Sequence, residues 1–190
     1  MSASLSGYTA SITNSVNSAS TAALAVSETY TSGGTTTTCN SYDSTATCST
    51  INKYGGTASP LVPGGSQTTK VTFTNTGSVP VGTASMKGGT CDAIVRPGVT
   101  GAVTPTTPNT SAGNLCSVLT LQVYKAATAT GTAIYTGSLS GFQTATATDI
   151  GTLAVGASQD YTFVVTLPTA ATTATQGQQV TQPIVWTFNQ

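Results

Sequence analysis

"DYTFVVTLP", residues 160–168, decides the fold class. Tyr161, Phe163, Val165 and Leu167 share one parity, while Thr162, Val164 and Thr166 share the other. A period of two places the first set on a buried face and most of the second on a wet one. Pro168 then ends the run, because it has no amide to give to a ladder. The same pattern recurs in "KVTFTN" (70–75), "VLTLQVYK" (118–125) and "QPIVWTF" (182–188). Working outward, strands are predicted at about Ser6–Thr13, Ala22–Tyr30, Thr68–Asn75, Val79–Met86, Val118–Lys125, Ala133–Thr136, Thr144–Leu153, Tyr161–Leu167 and Val180–Phe188. Turn signals separate them: "PGGS", "NTGS", "KGGT", "RPGV", "ATGT" and "AVGAS". No stretch keeps a helical period with caps. Many short strands between Gly/Pro turns argue for an all-β sandwich. Gly98–Gly113 reads as a long Pro/Thr-rich loop.

Composition narrows the function classes. The chain has 190 residues, enough for one sizeable core, and no shift in composition forces a second. Charged residues are only 5% and cancel to a formal net charge of zero. Nucleic acid is excluded as a partner, since phosphate binding needs clustered Lys and Arg. Hydrophobic residues are 38%, which argues against a disordered chain. Abundant Thr is β-branched and supplies a wet face without charge. Such a surface resists self-association poorly, which suits a protein that packs against copies of itself. There is no His, so no unperturbed side chain titrates near neutrality. No apolar run approaches a bilayer-spanning length. The whole reads as a secreted chain from which a leader has been removed.

The four cysteines are Cys39, Cys48, Cys91 and Cys116. An even count in a secreted-looking chain suggests two disulfides, in one of three pairings. The economical pairing, Cys39–Cys48 with Cys91–Cys116, closes two local turn-rich loops. Zinc is disfavoured: there is no C-x-x-C and no His.

Candidate chemistry is sparse. Without His the ordinary nucleophile triads are gone. Glu28, Asp43, Asp92, Asp149 and Asp160 are scattered and read best as solvated carboxylates at turns and strand ends rather than a glycosidase pair. No Asp-rich loop suggests calcium. "GGSQTTK" (64–70) lacks the Gly-Lys-Ser/Thr ending of a phosphate loop. "LPTAA" (167–171) is a strand end, not a sorting signal. Trp186 shares parity with Ile184 and Phe188 and is expected in the core of the last strand. Asn109–Ser111 is a formal glycosylation sequon in the long loop. No catalytic, cofactor or metal residue is expected.

The beginning of the chain is unusual. "SGYTASITNSVNS" (6–18) alternates well, with Tyr8, Ala10, Ile12 and Val16 on one parity, where chains are ordinarily loose. "YTASITNSVNSASTAALAVSETY" (8–30) resembles the start of secreted TasA/CalY (camelysin)-type proteins. "VPGGSQTTKVTFTNTGSVPV" (62–81) and the segment from Gly151 to Phe188 resemble their middle and closing strands. The resemblance implies a jelly-roll β-sandwich that polymerises into extracellular filaments. As in the similar archaeal bundling pili, the N-terminal strand of one subunit would complete the sheet of the next. The metalloprotease role described for camelysin has no His to support it here. The resemblance assigns residues 1–17 as the donor-type strand and residues 18–190 as the sandwich. Leu5, Tyr8, Ala10, Ile12 and Val16 would be the interface, and the partner a further copy of the chain. The competing expectation is a monomeric cell-surface adhesion or carbohydrate-binding sandwich, which needs an exposed aromatic platform.

Overall fold

The computed structural model describes residues 18–43 and 47–190. The chain is all-β in antiparallel sheets, with two disulfides. The strands are β1 (Val26–Ser32), β2 (Thr35–Asn40), β3 (Ser66–Asn75), β4 (Thr83–Gly88) and β5 (Asp92–Val95), then β6 (Thr120–Tyr124), β7 (Tyr135–Ser138), β8 (Thr148–Asp149), β9 (Ser158–Thr166), β10 (Gln178–Thr181) and β11 (Ile184–Asn189). One sheet has six strands in the order β2-β1-β3-β9-β6-β7. Opposite it lie a three-stranded sheet, β11-β4-β8, and the ribbon β10-β5. Strands far apart in sequence pair, β3 with β9 and β4 with β11, as a sandwich with crossing connections requires.

The run 160–168 behaves as its alternation dictates. Strand β9 sits in the middle of the large sheet, with Phe163 and Val165 at 0% and 1% exposure. Phe163 joins Val71, Leu121, Val123, Met86 and Val81 in one core shared by the facing sheets. Burying such a side chain stabilises by about 1.5–3 kcal/mol. The off-parity Thr162 is buried too, but its hydroxyl donates to the Ala126 carbonyl, so no polar group is stranded. Between β1 and β2, Gly33 and Gly34 both have positive φ, 56° and 80°, as a two-residue hairpin turn demands.

Several expected strands are altered. Pro183 splits Val180–Phe188 into β10 and β11, because it cannot sustain a continuous ladder. The expected strand Thr144–Leu153 contracts to β8 and a bridge at Leu153 with Val81. Ahead of it, Ser138 caps a six-residue helix, Leu139–Thr144, by accepting from the Gly141 amide. A second short helix, Leu115–Val118, carries Cys116 into the core and is capped by Asn114. Strands β2 and β5 were not expected. Thr-rich β2 and exposed β5 bury little, so they carry no clear alternation.

The expected donor-type strand, residues 1–17 with Leu5, Tyr8, Ala10, Ile12 and Val16, lies outside the described residues.

Candidate functional site

The large sheet has six strands and its facing sheet has three, so part of the inner face of the former lacks a strand above it. A long loop fills some of that space. From Cys48 it crosses the inner face of β1 and runs to Pro63. Ile51 is buried against the core, and Lys53 reaches down to Glu28 on β1 at 2.6 Å. This contact is an ion pair rather than an aligned hydrogen bond, and both side chains are about nine-tenths buried. The Tyr54 hydroxyl donates to Gln182 Oε1, fastening the loop to the β10–β11 link. Burial first, and then the neighbouring Tyr135, push the Tyr54 pKa up, so it remains a neutral donor.

Between this loop and β11 a cleft of about 1320 Å³ remains open. Its floor is Val26, Phe73 and Val165 from β1, β3 and β9. One wall is Ile184, Trp186 and Phe188; the other is Ile51, Tyr54, Pro60 and Leu61, with Leu115 and Leu119 at one end. A smaller hollow of about 350 Å³ adjoins it, lined by Leu24, Val26, Ser41, Trp186, Thr187 and Phe188. Together they are lined by β11 from Ile184 to Phe188. Single small ligands are held in pockets of about 300–1,000 Å³.

Strand β11 is an edge strand. The Pro183 carbonyl accepts from the Gly89 amide and the Asn189 carbonyl from the Gly82 amide, so odd-numbered residues face β4. The Ala84 carbonyl accepts from Ile150 on the far side of β4, which gives the same alternation. Ile184, Trp186 and Phe188 therefore turn their main-chain N–H and C=O groups toward the free edge. No described residue pairs with that edge. The same three residues point their side chains at the core, yet each is only half-buried. Trp186 packs on Phe73 with ring centroids 4.4 Å apart, and also meets Tyr161 and Phe163. It belongs to the core face as expected, but it also forms a cleft wall. Its Nε1 is buried and has no hydrogen-bond partner among the described residues.

The other predicted residues take ordinary positions. The disulfides are Cys39–Cys48 and Cys91–Cys116, so the economical pairing is the one formed. Asn109 is half-buried, and its amide nitrogen donates to the Cys91 carbonyl and to Gln143 Oε1. Asp160 accepts from Thr72 and lies 3.7 Å from Lys70. Asp149 accepts from the Gly151 amide and Asp43 from the Asn40 amide. Asp92 is exposed on β5 at the cleft margin. Among the described residues no three metal-ligating side chains come together, and no helix is long and apolar enough to cross a membrane.

Sequence reasoning missed the cleft. The parity of Ile184, Trp186 and Phe188 was visible, but not that their strand sits at an edge with no described strand on its other side. No family model matches the chain, and no curated protein matches it. The functional reading therefore rests on these residues and their geometry.

Proposed function

We propose that the chain is a structural subunit of an extracellular filament of the pilus or biofilm-matrix kind. Subunits add head to tail, and the N-terminal strand of one copy enters the β11 cleft of the next. The observation that carries this reading is the edge of β11: three main-chain positions without a partner among the described residues and three half-covered apolar side chains, on one strand, facing one trough. A strand laid there gains ladder hydrogen bonds and covers Ile184, Trp186 and Phe188 in one step. An edge of this kind left open is an aggregation hazard, and a specific occupant removes it.

The occupant is the segment with matching pattern, Leu5 to Val16, with Tyr8, Ala10 and Ile12 as the inward plugs. Described structure begins at Ser18, and Leu24 lines the smaller hollow that adjoins the trough. A head-to-tail contact of one patch with a different patch builds an open filament when it does not close into a ring. Two disulfides suit the oxidising space outside the cell.

Removal of residues 1–17 tests the reading. The shortened chain is expected to fold, to remain monomeric, and to show no filaments by negative-stain microscopy, whereas the intact chain forms them. Filaments from the shortened chain would overturn it. A strictly monomeric intact chain at high concentration would favour the adhesion-module reading.

A further inference from the structure

The two disulfides differ in place and exposure. Cys91 and Cys116 are 1% and 0% exposed, inside the core. Cys39 and Cys48 are half-buried at the rim of the cleft, and both sulfurs lie within 3.8 Å of the exposed Thr50 hydroxyl. Cys39 lies on β2, the edge strand of the large sheet, directly opposite Glu28 of β1. Cys48 opens the loop that crosses β1 and walls the cleft. The bridge thus ties the root of the wall to the edge of the sheet. Beyond it the wall has its own anchors, in buried Ile51, the Lys53–Glu28 pair and the Tyr54–Gln182 hydrogen bond.

We infer that the Cys39–Cys48 disulfide is a redox latch on the cleft, opened by a dithiol while Cys91–Cys116 keeps the core closed. The functional consequence rests on the filament reading: the cleft accepts a neighbour's strand only when the latch is oxidised. The chemistry is thiol–disulfide exchange. A thiolate of the dithiol attacks one of the two half-buried cysteines at sulfur, and the S–S bond breaks with the other cysteine leaving as thiolate. The second thiol of the reductant displaces the mixed disulfide. The dithiol ends as a cyclic disulfide, having lost two electrons and two protons; Cys39 and Cys48 each end as a thiol. Attack requires access to sulfur, which Cys91 and Cys116 deny while the fold holds. Once cut, the stretch Cys48–Thr50 is released from β2 while Ile51 and Lys53 stay seated. The rim loosens without global unfolding.

The test uses the full oxidised chain and dithiothreitol under native conditions, with iodoacetamide trapping and peptide mapping. Cys39 and Cys48 are expected to be alkylated at reductant levels that leave Cys91 and Cys116 bridged and the far-UV circular dichroism unchanged. The chain's only tryptophan, Trp186, reports the cleft directly: its emission shifts to the red and acrylamide quenching rises as the latch opens. Filament yield is lost in the same samples and in the Cys39→Ser/Cys48→Ser variant. Simultaneous opening of both bridges with loss of structure overturns the latch. So does alkylation of Cys39 and Cys48 that leaves Trp186 fluorescence unchanged. Filament yield that survives selective opening overturns its control of assembly. An oxidised chain that never polymerises counts against the filament reading instead, and labelling and fluorescence still decide the latch.

Discussion

Asn75 shows how a single polar residue can be indispensable in a chain so poor in charge. It is fully buried, and its amide nitrogen donates to the carbonyls of Val79 and Leu153 while its oxygen accepts from the Gly77 amide. It locks the turn after β3 to the far sheet. Each buried group left without a partner costs about 1–3 kcal/mol, so Asn75→Ala is expected to lower the denaturant midpoint by more than a surface substitution does. The Glu28–Lys53 pair gives a second residue-scale expectation. Removing only Lys53 leaves a buried carboxylate uncompensated, at a cost of about 3–5 kcal/mol. The double replacement Glu28→Gln/Lys53→Met should recover most of that loss in urea unfolding. A third concerns alkaline pH. Burial first, then the charge of Asp149, push Tyr161 up to about 12; burial also raises Tyr54 and Tyr135. An unfolded tyrosine loses its proton near pH 10. Across the window from about pH 10 to 12 the folded chain holds more protons than the unfolded one, so stability falls as pH rises. Tyr161→Phe should flatten that fall, and an equal slope in the variant would contradict the assignment.

At the scale of elements, β11 concentrates the functional argument. Its two parities are chemically different: odd residues bond to β4, while even residues turn their main chain to an edge that no described residue pairs with. Amide hydrogen exchange reads this directly. In monomers Val185 and Thr187 should be protected, while Ile184, Trp186 and Phe188 exchange quickly. In filaments all five should be protected, because the incoming strand bonds the even set. Uniform protection in both states would place a partner on that edge before assembly. The legibility of the elements follows from how much each buries. Strands β3, β6 and β9 were readable because two-residue alternation separates their wet and buried faces. Strand β2 was not, because a Thr run has no apolar parity to read. The break at Pro183 was present in the sequence but was submerged in a continuous apolar pattern. The local pairing of the four cysteines was readable from the turn-rich loops they close. The trough was not, since the position of a strand at a sheet edge leaves no mark on its own alternation.

At the scale of the molecule, the sandwich is lopsided: six strands face three, a crossing loop covers part of the difference, and the remainder is the cleft. Low charge and hydroxyl-rich strands leave little electrostatic repulsion between copies, and there is no His to make assembly respond to pH near neutrality. The account therefore expects filaments to persist across moderate changes of salt and pH, as turbidity and sedimentation would record. The central claim is that residues near Tyr8 of one copy lie along β11 of another. A photo-crosslinking residue placed at position 8, in filaments grown from an equal mixture of isotope-labelled and unlabelled chains, tests it most directly by mass spectrometry. Crosslinks are expected from position 8 to the peptide spanning residues 182–190, with labelled and unlabelled chains joined to each other. Crosslinks confined to a single chain, or none to that peptide, would contradict it.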